Sequence, residues 1–130
     1  MRTRIWIILV LTLLLAGLVA TESIFVSNTI EYLKTESTEV ETLIKENENI
    51  NTDLITNKLN EFDEKWTQKE NIMCFVINHR DMEKVGEQLK KLKTLAGQNN
   101  KQEAEQEIDL LIYYINGYDH FAKFSFQNIF

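Results

Sequence analysis

Apolar positions along this chain follow two different rules. From Ile5 to Ala20 they run on without a charge, whereas from Val26 onward they recur at spacings of three, four and seven between polar residues. The first rule suits a segment solvated by hydrocarbon, and the second suits helices that bury one face.

Val26, Ile30, Leu33, Val40 and Ile44, with Leu43 beside them, predict a helix that continues directly out of the apolar run. Glu31, Glu36, Glu39, Glu41, Glu46 and Glu48 are expected on its outer face as solvated charge rather than as a cation site. The polar stretch 47–52 predicts a turn, with Asn51 or Thr52 capping the next helix. Ile55, Leu59, Phe62, Trp66, Met73 and Val76 follow heptad-like spacing and predict that second helix, with Lys69 in the one polar slot. Asp81 is expected to cap a third helix whose stripe is Met82, Val85, Leu89, Leu92 and Leu95 or Ala96. That helix should end at Gly97, with Gln98, Asn99 and Asn100 as the turn. A fourth helix carries Glu103, Glu105 and Glu107 near its start and buries Ala104, Ile108, Leu111, Ile112, Ile115 and Tyr118.

Short connections between amphipathic helices favour antiparallel neighbours. The expected fold is therefore all-α: an N-terminal transmembrane helix continuing into an antiparallel up-down-up-down four-helix bundle. Counting outward from the turns sets Leu33 opposite Trp66 and Val85 opposite Ile112. Composition agrees, because proline is absent and only four glycines occur among 130 residues, so nothing interrupts helices and the turn chemistry of many short strands is missing.

Arg2 and Arg4 precede the apolar run and Glu22 is the next charge. A cleaved signal peptide shares this layout, but a cut after Ala20 would place Leu18 where a small residue is wanted, so a retained anchor is expected. Sixteen apolar residues rise about 24 Å, short of a core of about 30 Å, which draws Ile24, Phe25 and Val26 toward the span. The expected organisation is residues 1–4 as a cytoplasmic stub, 5–21 as the signal-anchor helix extending toward 26, and 22–130 as an extracytoplasmic bundle. Trp6 should sit near one interface, and the two arginines hold the N-terminus in the cytoplasm, so the chain would not by itself deliver a signal there.

The net charge of −6 argues against a nucleic-acid partner, whose backbone demands clustered Lys and Arg. The one dense basic run, Lys90-Lys91-Leu92-Lys93, lacks interleaved aromatics and suits a helix C-terminus. Cys74, the single cysteine, sits in an apolar setting and is expected to act as a small buried hydrophobe. His79 and His120 should both lie at the membrane-proximal end, with Asp81, Glu83 and Asp119 near them. No Glu-x-x-His pair accompanies them, and they are expected to be polar turn residues rather than a metal site. No catalytic, cofactor-binding or metal-binding residue is assigned.

The chain closes on FAKFSFQNIF, four Phe and one Ile in ten residues. An up-down-up-down order returns this segment to the bilayer, where Phe124 to Phe130 would meet headgroups, fold back to close the base of the bundle, or both. Lys123 would reach toward anionic headgroups.

The basic start, the single span, Trp66, the Ile77-Asn78-His79-Arg80-Asp81 turn and the terminal Asn128-Ile129-Phe130 resemble a family of small bacterial anchored proteins designated domain of unknown function 4363. The resemblance implies a helical ectodomain and carries over no catalytic residue. Members are often encoded beside a multi-spanning membrane protein, which implies a partner of that kind. The expected function is a membrane-anchored interaction or accessory module supporting a larger membrane protein. The alternative is a ligand-binding or sensory bundle acting through a membrane partner, and an enzyme is not expected.

Overall fold

A computed structural model of the chain describes the backbone of residues 1–127 and the side chains of all of these except Arg2 and residues 124–127. Among the described residues the chain forms four α-helices and no strand: α1 (Arg2–Glu46), α2 (Asp53–Met73), α3 (His79–Gly97) and α4 (Lys101–Gln127). Each helix packs on its neighbours in sequence, and α4 closes against α1. The result is a square bundle from which the first half of α1 projects.

The direction of each helix is visible in its cross-contacts. Lys58 of α2 pairs with Glu36 at 2.9 Å, while Lys69, three turns on, holds its ammonium 5.6 Å from the ring centroid of Phe25, earlier in α1. Those helices run antiparallel. The same reversal joins α3 to α4, where Asp81 meets Tyr118, Lys84 lies over Tyr114 and Lys91 pairs with Glu107. These last contacts bracket the level at which Val85 was expected to face Ile112.

Every member of the predicted α1 stripe, Val26, Ile30, Leu33, Val40 and Ile44, is buried, and Phe62 and Trp66 of α2 are the largest fully enclosed side chains. Lys69 fills its polar slot for a reason: its ammonium lies over the rings of both Phe25 and Tyr32, a favourable use of a cation beside the core. Ile112 corrects the α4 stripe slightly, since it packs on the core without being fully enclosed.

Glu36 is a second correction. It turns inward and is buried, because α2 presents Lys58 to it; Lys58 also pairs with Glu39, so one lysine is shared by two carboxylates. At the α2–α3 junction the second helix stops at Met73 instead of running through Val76, which is exposed in the turn. Asn78, not Asp81, caps α3, accepting a hydrogen bond from the Arg80 amide at 3.0 Å. An asparagine just before the helix competes well for a free amide and leaves Asp81 in the first turn, where it pairs with Lys84. His79 therefore opens α3 rather than ending α2.

At the far end the two remaining loops pack on each other. Thr52 caps α2 through the Ile55 amide, and Ile50, inside the otherwise polar turn, is fully buried. Its amide donates to Asn99 Oδ1 at 2.8 Å, and the Asn51 side chain donates to the Gly97 carbonyl at 3.1 Å. Asn99 holds φ at 52°, in the left-handed region that asparagine tolerates better than most residues.

Candidate functional site

The α2–α3 turn, the last turns of α4 and the point where α1 enters the bundle share the opposite end, here called the base. Helix α1 is the one described helix long and apolar enough to cross a membrane, with a mean hydropathy of 2.3 over its most apolar window. Residues 3–18 are exposed, Val19 is the first partly covered side chain and Val26 the first buried one. The change from exposed to buried apolar surface occurs inside one unbroken helix.

Several contacts brace the base. Lys34 of α1 reaches Asp119 Oδ2 at 2.6 Å, and Lys123, one turn beyond, reaches the same oxygen at 2.9 Å. Both lysines hold the Asp119 carboxyl below its usual range. Lys123, expected to reach toward headgroups, is thus paired within its own helix while remaining largely exposed. The Lys84 ammonium lies 2.9 Å from Asp81 Oδ1 and 5.5 Å from the centroid of Tyr114.

Between these braces opens a groove of about 850 Å³. Val19 and Glu22 of α1 form one wall, the turn from Phe75 to Asn78 another, and Tyr113, Gly117 and Phe121 of α4 line it further. Phe75 is 87% exposed and Phe121 76% exposed, far more than the core phenylalanine Phe62. The sequence reading missed this groove because its walls come from three separated stretches of chain. One local signal was present: residues 72–77 are six consecutive apolar residues, more than one helical face can bury.

The same turn adds Cys74 to His79 and Glu83, which stand four residues apart in the sequence. Cys74 is half-buried, its Sγ 3.0 Å from His79 Nδ1, and His79 Nε2 lies 2.9 Å from Glu83 Oε1. The carboxylate only accepts, so the proton on Nε2 points at Glu83. Burial, then the Glu70 and Glu83 carboxylates, push the thiol above its ordinary range. A thiol so held stays protonated near neutrality and is a poor nucleophile. Its evident role is to tie the turn to the start of α3.

His120 is exposed on α4 beside Asp119. Among the described residues no group of three or more His, Cys, Asp or Glu side chains is placed to hold a metal ion. For the aromatic end from Phe124 to Phe130, expected to meet lipid or the base of the bundle, the side chains of residues 124–127 and all of residues 128–130 lie outside what the structure describes; the α4 backbone is helical as far as Gln127.

No curated protein and no solved structure matches this chain. A family profile does, over residues 21–129, which include the bundle and every groove-lining residue except Val19. With that much of its length matched, the chain belongs to the family described as domain of unknown function DUF4363.

Proposed function

We propose that this protein is a membrane-anchored, extracytoplasmic accessory module that supports or assembles a larger membrane protein. The observation that carries the reading is the continuity of α1, whose exposed apolar half and buried stripe belong to one helix from Arg2 to Glu46. A hinge would let the bundle wander above the bilayer. An unbroken helix instead holds it at a set distance from the membrane, as an element that must meet a membrane-embedded partner requires. Arg2 and Arg4 at the start of the span orient the bundle to the extracytoplasmic side.

A sensory bundle would need a polar cavity between the helices to receive a ligand. Leu33, Phe62, Trp66, Leu89 and Ile108 fill the interior instead, which favours the accessory reading.

The test is photocrosslinking in native membranes from a reactive group at Leu13, within the span. The expected result is a discrete adduct with a multi-spanning protein. Adducts with lipid alone would overturn the accessory reading, and a reporter fused after Phe130 that is active in the cytoplasm would overturn the orientation.

A further inference from the structure

We infer that the groove at the base of the bundle is a second membrane-contact site, seating an acyl chain of the bilayer leaflet that faces the bundle. This rests on the reading of α1 as a membrane anchor and adds a lipid site to it.

Level along α1 is the first support. The apolar run ends at Ala20, and the α1 wall of the groove is Val19 and Glu22. The groove therefore opens at the height where the span ends. Because α1 is one helix to Glu46, no joint can lift the groove away from that height. The span is also short by roughly 6 Å, about four residues of helical rise, against a typical hydrocarbon core. A bilayer of ordinary thickness reaches up to the groove, or thins to avoid it at a cost.

Exposure is the second support. Phe75 at 87%, Phe121 at 76% and Tyr113 at 73% stand around one opening. Aromatic side chains left this bare in water would be a liability, but at a bilayer interface they are favourably placed. Val19 belongs both to the apolar run and to the groove wall, so lipid surface and groove are continuous. Acyl chains surround α1 at this height as its solvent. No specific affinity is needed for one to enter.

The experiment uses the full chain with Cys74→Ser, in phosphatidylcholine nanodiscs, where both faces of the membrane are open to solution. A fluorophore is attached in separate variants at Phe75→Cys, Phe121→Cys, Leu13→Cys in the span, and Leu54→Cys at the exposed far end of the bundle. Quenching is compared between phosphatidylcholine brominated on its acyl chains and aqueous iodide. Labels at positions 75 and 121 should follow the span label, quenched by bromolipid and shielded from iodide, while the label at position 54 should do the reverse. A position 75 or 121 label that behaves like position 54, with the span label still quenched by lipid, overturns the second contact and leaves the anchor standing. A span label open to iodide overturns the anchor itself. Shielding of positions 75 and 121 from both quenchers reports a protein neighbour and overturns lipid as the occupant.

Occupancy of the groove has its own readout. A Cβ at Gly117, which lines the groove, would meet nothing within 4 Å, so a side chain can start there without a clash, and Gly117→Trp is the filling variant. Chain-spin-labelled phosphatidylcholine should show an immobilised component with the unmodified chain, and that component should fall with the filled variant. An immobilised component unchanged by filling shows that the acyl chain sits elsewhere.

Discussion

Tyr118 of α4 donates its phenolic hydrogen to the backbone oxygen of Asp81, 2.5 Å away in the first turn of α3. Burial, followed by the Asp81 carboxylate and Tyr114, pushes the phenol well above its ordinary range, so it remains protonated and keeps donating throughout the physiological range. The bond joins two residues that line the groove. Tyr118→Phe should cost about 1 kcal/mol in thermal unfolding of the detergent-solubilised chain, the ordinary net worth of such a bond. An unchanged midpoint would mean that this contact does not hold the base together.

Asn99 does two things at the far end: it takes a backbone conformation that disfavours most side chains, and it accepts the amide of buried Ile50. Substitutions separate the two. Asn99→Gly keeps the turn but loses the acceptor and should cost about 1 kcal/mol, while Asn99→Ala also meets the left-handed penalty and should cost about 2–3 kcal/mol. A glycine variant less stable than the alanine variant would reverse this account.

Periodicity made the helices legible because a buried stripe repeats every three or four residues whatever it packs against. Val26 to Ile44, Met82 to Ala96 and Ala104 to Tyr118 could be read that way. Ile50 could not, since a lone apolar residue within Asn-Glu-Asn-Ile-Asn-Thr has no period; its burial depends on Asn99, which is 49 residues away. Glu36 looked like its glutamate neighbours until Lys58 was placed beside it. The end of α2 was misjudged because Val76 fits the heptad, whereas the helix end and the cap at Asn78 depend on local backbone hydrogen bonds that spacing does not encode. The groove was least legible of all, because none of its three walls is a motif.

Trp66 is fully buried, and among the described residues its Nε1 is an interior nitrogen without a hydrogen-bond partner. Gly86 of α3 faces it: a Cβ there would come to 3.8 Å from Nε1 and 4.0 Å from Cδ1, ordinary contact distances. Gly86→Ala should therefore stabilise by about 0.5–1 kcal/mol, through helix propensity without a clash. Trp66→Ala should cost about 3–5 kcal/mol, while Glu39→Ala should change little. A destabilising Gly86→Ala, measured by urea unfolding, would show that Trp66 needs the empty space.

Asp119 supplies a pH dependence whose sign can be stated. Its carboxyl is held below the unfolded value by hydrogen bonds from Lys34 and Lys123. The stability it adds is present above an unfolded value of about 3.9 and is lost as pH falls through the lower folded value. Asp119→Asn should thus lower stability near neutral pH and flatten the acid limb. The coupling to Lys34 in a double-mutant cycle should be about 0.2–1 kcal/mol, as for other ion pairs near the surface. An acid limb of unchanged slope would assign the pH response to other carboxylates.

An unbroken α1 makes the bundle and the span two ends of one screw. Each residue inserted near Ser23, between the apolar run and the buried stripe, turns the bundle by about 100° about the helix axis and lifts it about 1.5 Å. One added alanine would swing the groove to a different side of the span, whereas seven would return it to within about 20° of its original bearing while raising it about 10 Å. Angular phase and height above the bilayer can therefore be varied separately. A partner that reads the face of the bundle together with the face of the span would tolerate seven inserted residues better than one. A groove that needs only to touch lipid would tolerate one better than seven.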